Sequence, residues 1–154
     1  MKKKLLLLVC ASALLVISIK FFPYHCNSDA CSTLSVEQKE VSIGNINIKV
    51  EVADTESLRE QGLSGRSGLA DGSGMLFVFQ EMGKYGFWMK DMNFPIDIIW
   101  IQGNKVADID QSVSPDTYPQ IFYPEVDVNF VLEAPSGFAK DKGLKVGDFF
   151  SSSF

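Results

Sequence analysis

The segment Ile96-Asp97-Ile98-Ile99-Trp100-Ile101 constrains the fold more than any other part of the chain. It is a near-continuous apolar run broken by one acid, the pattern of a strand buried on both faces. Shorter alternating stretches surround it. Val41-Ser42-Ile43 and Ile46 to Val52 flank Gly44-Asn45, a pair suited to a two-residue primed turn. Met75 to Phe79 and Tyr85 to Met89 read as strands on either side of a turn at Glu81 to Lys84. Gly103-Asn104 turns the chain into Lys105 to Ile109, Val128 to Glu133 is another strand, and Val146 to Phe150 is expected to pair at an edge. Asp54 or Thr55 can cap a short helix that Gly62 ends, and Ser136 one that Gly143 ends. Ser64 to Gly74 holds four glycines and reads as a loop, and 112–127 as a long proline-rich one. Together these predict a mainly β fold, a compact β-sandwich or partly closed barrel with two short helices.

The N-terminus has a separate purpose. Lys2-Lys3-Lys4 precede Leu5 to Ile19, which carry no charge, the n- and h-regions of a secretory signal. Lys20 interrupts the run, Phe21 and Phe22 extend it, and no Ala-x-Ala site follows, so an uncleaved anchor is favoured over a cleaved signal. The expected organisation is a signal peptide or membrane anchor at 1–22, a polar tether at 23–39 and one β-rich domain at 40–154. The expected location is outside the cytoplasm, secreted or periplasmic or at the cell surface, with the membrane contacted through residues 5–22. Beyond Lys20, ten basic residues face nineteen acidic ones, a charge of about −9. Such a surface argues against nucleic acid and anionic lipid, and is compatible with neutral sugars, cationic ligands or metal ions, with simple solubility the favoured reading.

Residue types then exclude most chemistries. The single histidine, His25, and all three cysteines, Cys10, Cys26 and Cys31, precede the domain. A histidine-based nucleophile system and a usual zinc site are therefore excluded from it, and no cofactor or metal is expected. Cys26 and Cys31 can close a small disulfide loop in an oxidising compartment. Asp91 and Asp97 flank Asn93-Phe94-Pro95 and form a candidate carboxylate pair. Asp97 begins an apolar strand, so it needs a partner, and Arg66 or Lys90 is expected to supply one in a structural ion pair. Met75, Met82, Met89 and Met92 read as core filler rather than as thioether ligands of Cu(I). Among the aromatics, Phe87 and Trp100 read as core, Trp88 suits core or binding surface, and Tyr118 and Tyr123 in the long loop lean towards binding.

Residues about 47 to 149 resemble domain of unknown function family 192. The resemblance is carried by Val50 to Thr55, Gly62-Leu63-Ser64-Gly65-Arg66, Gly74 to Phe79, Phe87-Trp88-Met89-Lys90, Pro95 to Ile101 and Val131-Leu132-Glu133-Ala134, in that order. It implies a compact, mainly β domain of sandwich type, often secreted or membrane-tethered in bacteria and archaea, and carries no activity with it. Members often have histidine two residues before the Phe-Trp pair, where this chain has Tyr85, and Asn-Thr where it has Asp91-Met92.

The chain is thus expected to be a non-enzymatic binding or structural module of the envelope. A groove of Arg66, Trp88, Lys90 and Asp97, bordered by the loop from Tyr118 to Tyr123, is the candidate site for an envelope saccharide or a protein partner. The alternatives are a hydrolase of an envelope polymer using Asp91 and Asp97, or an assembly factor with chaperone-like character.

Overall fold

The computed structural model describes residues 38–154, and strands dominate them. In chain order the elements are β1 (Gln38–Ile43), β2 (Ile46–Ala53), α1 (Glu56–Gln61), β3 (Ser73–Gly83), β4 (Phe87–Trp88), β5 (Ile96–Gln102), β6 (Lys105–Val113), β7 (Ile121–Phe122), β8 (Val128–Pro135), α2 (Phe138–Lys142) and β9 (Phe150–Ser152). The expected anchor at 1–22, nearly all of the tether and the Cys26–Cys31 pair lie outside the described residues. Among the described residues, no helix is long and apolar enough to cross a membrane.

Seven strands share one sheet in the order β6-β5-β8-β3-β2-β1-β9, and β4 pairs with β7 in a separate two-stranded ribbon. Only β2 and β3 run parallel, joined by the crossover that contains α1 and the glycine-rich loop. The sheet curls into a half-barrel whose edges meet at one end. There Gly147 N–H donates to Val106 O (2.8 Å), Val106 N–H to Asp148 O (2.9 Å) and Phe150 N–H to Asn104 O (2.8 Å). Of the two expected architectures, the partly closed barrel is therefore the closer one. A sandwich would need two sheets face to face, and here a single sheet bends over its own core.

Strand alternation sorts the apolar residues onto the two faces. The inner face gathers Val41, Ile43, Ile48, Val50, Leu76, Ile99, Ile101 and Leu132, closed over by Phe138, Ala139 and Leu144 around α2. The outer face gathers Met75, Phe77, Ile96, Ile98, Trp100 and Val131, covered by Phe87, Met89, Phe94 and Phe122 from the segments around β4 and β7. β5 is buried from Ile96 to Ile101, as its sequence predicts.

The hairpin turn, both helix ends on the C-terminal side and the Thr55 cap follow the sequence. Gly44 takes φ 58°, which a primed turn demands, and Thr55 accepts from Leu58 N–H at 3.3 Å. The C-terminal edge strand, expected at Val146 to Phe150, forms instead at Phe150–Ser152, where it pairs with β1. Three further details differ. β3 runs on through the turn expected at Glu81 to Lys84, and the 85–89 strand shrinks to two residues paired with β7 rather than with β3. β6 continues to Val113, into the expected loop. Ser136 does not cap α2, since its hydroxyl donates to Ser112 Oγ instead. The capping acceptor comes from across the fold: the Asp97 carboxylate accepts from Gly137 N–H (3.1 Å) and Ala139 N–H (2.8 Å).

Gly74 in β3 marks a close approach. A Cβ there would lie 2.6 Å from the carbonyl oxygen of Glu133 on β8. That oxygen is backbone and has nowhere to move. Gly74→Ala is expected to destabilise by about 1–3 kcal/mol, the range for forced overpacking, as read by urea denaturation.

Candidate functional site

One row of cross-strand neighbours on the outer face contains three acids. It runs from Glu51 on β2 through Met75 on β3, Glu133 on β8 and Ile98 on β5 to Asp110 on β6. The two outer acids are matched. Glu51 takes a bidentate pair from Arg66, with Nη1 to Oε1 at 2.6 Å and Nη2 to Oε2 at 2.7 Å. Asp110 accepts from Trp100 Nε1 at 2.7 Å.

Glu133, between them, is only 6% exposed, and its Oε2 has no hydrogen-bond partner among the described residues. Burial pushes this carboxyl up to about 8, and the charge of Arg66 pulls it back only in part. Glu133 therefore keeps its proton at neutral pH. Arg66 is spent on Glu51, whose carboxyl that hydrogen-bonded pair holds below the usual range.

Glu133 lines a cleft of about 260 Å³, below the roughly 300–1,000 Å³ of drug-sized sites, so a ligand of fragment size is the natural occupant. Five aromatic residues line it, Phe77, Phe79, Tyr85, Phe87 and Trp88, together with Leu63 and Met92. The rings brace one another. Phe77 meets Phe87 edge-on at 4.8 Å, Phe87 meets Trp100 edge-on at 5.3 Å, and Tyr85 stacks on Phe79 at 3.6 Å. The Tyr85 hydroxyl donates to Glu81 O at 2.7 Å, fixing that ring from its far end. The lining also takes Glu56, Arg59, Glu60 and Gln61 from α1, and Ser64 just beyond it.

Local chemistry explains how these parts are placed. Arg59 donates to the carbonyls of Asp54 (2.6 Å) and Val78 (2.9 Å), tying α1 to β3, and lies 5.2 Å from the Phe79 ring. Gly62 turns the chain at φ 49° directly beside Phe77. Pairing of Phe87 with Phe122 and of Trp88 with Ile121 holds β4 in place. Gly86 lets that wall close up, since a Cβ there would sit 2.8 Å from Ile121 Cγ2 and 2.9 Å from the Tyr123 ring.

Of the residues predicted from sequence, Trp88 lines the cleft, about half exposed at its mouth. Tyr123 stands behind the Gly86 wall, and Arg66 faces Glu133 electrostatically without bonding it. The structure does not bring the others there. Lys90 is exposed, with its backbone carbonyl accepting from Ser64 Oγ at 3.0 Å, and Tyr118 is an exposed loop side chain. Asp97 points to the inner face, is fully buried and accepts from three amides, those of Ser112, Gly137 and Ala139. Its partner is backbone, not Arg66 or Lys90. Asp91 is exposed, so the two aspartates share no solvent-accessible cleft. Among the described residues, no group of three or more His, Cys, Asp or Glu is arranged to hold a metal ion.

Sequence reasoning passed over Glu133. The signal was available: an acid inside the apolar strand Val128 to Pro135, on the same face as Val131, poses the same question as Asp97 in β5.

The family model described as DUF192, Uncharacterized ACR, matches residues 39–151. The chain belongs to the DUF192 family. Two solved structures are similar to this DUF192 chain over its folded part. One is a Sinorhizobium meliloti protein named as a candidate transcription regulator, 30% identical with a TM-score of 0.72, covering 77% of this chain and 96% of that one. The other is a protein of unknown function from Novosphingobium aromaticivorans, 25% identical with a TM-score of 0.73, covering 78% of this chain and 89% of that one. No curated protein matches the sequence.

Proposed function

We propose that this DUF192 chain is a non-enzymatic binding module of the cell envelope, whose cleft over Glu133 takes a small ligand with an apolar body and a polar head. The observation that carries this reading is Glu133, a buried carboxyl whose Oε2 has no partner among the described residues and which belongs to the lining of a cleft rich in aromatic side chains. Leaving such an atom unsatisfied costs about 1–3 kcal/mol, which a ligand donor recovers on binding. The envelope location is supported by Lys2 to Lys4 ahead of the uncharged run Leu5 to Ile19.

The hydrolase alternative loses support because Asp97 has both oxygens committed and no exposure. A role on nucleic acid finds none in this chain either, because ten basic residues against nineteen acidic ones beyond Lys20 repel a polyanion.

A thermal-shift screen of the full-length chain in detergent, with small aromatic and aliphatic fragments and envelope saccharides, tests the reading. A ligand that binds the folded state raises the melting temperature by mass action. Trp88→Ala, at the exposed mouth, is expected to weaken any hit about tenfold while changing the unliganded melting temperature by less than about 2 °C. Hits that bind Trp88→Ala as tightly as the parent chain would place the ligand elsewhere.

A further inference from the structure

We infer that the ligand of this cleft carries an ammonium nitrogen on a small apolar or aromatic body, seated so that the nitrogen donates to Glu133. The inference rests on the reading of the cleft as a binding site and goes beyond it in naming the chemical class.

Three features of the cleft agree on a cation. Five aromatic side chains wall it, and ring faces attract positive charge, more strongly where water is excluded. One ring already does so within the chain, since the Arg59 guanidinium lies over Phe79. The second feature is the donor and acceptor balance. Glu133 Oε2 lacks a donor among the described residues, and an ammonium offers several N–H groups and no acceptor. The third is the charge around it. α1 presents Glu56 and Glu60 at the rim against Arg59, whose Nη1 already donates to two carbonyls. The other nearby cation, Arg66, is held by Glu51.

Binding then has a defined proton balance. Glu133 gives its proton to solvent, the ammonium keeps all of its own, and the buried carboxylate gains a charge-assisted hydrogen bond and a counter-charge together. The free chain holds that Glu133 proton up to about pH 8, so affinity for the amine rises between pH 6 and 8. The titratable and charged groups facing Glu133 or the cleft are Glu56, Arg59 and Glu60 of α1, Tyr85, and the Arg66–Glu51 pair. A variant at Glu133 itself decides which group owns the pH dependence.

The experiment is calorimetric titration of the full-length chain in detergent with three probes of one shape: 2-phenylethylamine, 2-phenylethanol and 3-phenylpropanoate. The amine is expected to bind at least about tenfold tighter than either of the others at pH 8, and more weakly at pH 6. In Glu133→Gln, which keeps the shape of the side chain, the preference for the amine and its pH dependence are both expected to vanish. Equal or tighter binding of the alcohol or the carboxylate would overturn the ammonium inference and leave the cleft as a binding site. Binding of none of the three at millimolar concentration would overturn both readings. Because the three probes are compared on the parent chain, the test decides even if the Gln variant does not fold.

Discussion

Asp97→Ala is expected to destabilise the domain by on the order of 4 kcal/mol, lowering the melting temperature by more than about 10 °C. The size follows from what the carboxylate holds. Its Oδ1 accepts from Ser112 N–H (2.8 Å) and Gly137 N–H (3.1 Å), and its Oδ2 from Ala139 N–H (2.8 Å). Ser112 stands at φ 54°, a left-handed conformation that a serine adopts only when its surroundings hold it there. Gly137 and Ala139 open α2, which has no side-chain cap of its own. Alanine thus strands three amides, leaves a void under α2 and frees the turn at Ser112 at once. Asparagine fills the void but points a donor at one of those amides, and about half of the loss is expected. Denaturant unfolding followed by circular dichroism measures both. A Tm within about 3 °C of the parent for Asp97→Ala would refute the structural assignment.

The second large effect is a pH dependence with an unusual sign. The unfolded chain ionises Glu133 from about pH 4.5, its ordinary value, while the folded chain keeps it protonated up to about 8. Between those values the native state binds more protons than the unfolded one, so the stability Glu133 contributes falls as pH rises and levels off above pH 8. The full span is on the order of 5 kcal/mol, at about 1.4 kcal/mol for each pH unit. Glu51 acts in the opposite direction. Arg66 holds its carboxyl low, and the stability from that pair is present above about pH 4.5 and lost as pH falls through the lowered value. The clean measurement is therefore the difference between Glu133→Gln and the parent across pH 4 to 9. The variant is expected to gain on the parent steadily from pH 5 to 8, ending several kcal/mol ahead. A flat difference would mean that Glu133 is ionised and partnered in solution.

These two acids also show how much of the chain could be read without its fold. Both interrupt apolar strands, and the chemistry is the same in each: a buried carboxyl needs donors or keeps its proton. Asp97 received its donors from Ser112 and from residues 137 and 139, 15 to 42 positions away in sequence, and strand pairing alone brings these together. Glu133 Oε2 received none among the described residues, and no local feature of Val131-Leu132-Glu133-Ala134 distinguishes this acid from Asp97. The predicted groove failed to gather for a related reason. Trp88, Lys90, Arg66 and Asp97 are close in sequence pattern, but alternation along β5 sends Asp97 to the inner face while Trp88 stands at the mouth of the outer-face cleft.

What the sequence by itself determined is local in origin. The mainly β character, the turn at Gly44-Asn45, the Thr55 cap, the ends of both helices at Gly62 and Gly143 and the double burial of Ile96 to Ile101 all follow from side-chain period and backbone preference within a few residues. The tertiary structure decided which acid is partnered and which is not, that a single sheet curls so its edges meet at Val106 and Asp148, and that α1 and β4 line one cleft with Glu133. Those outcomes depend on strand order and register, and a shift of one residue in β8 would turn Glu133 to the inner face and abolish the cleft.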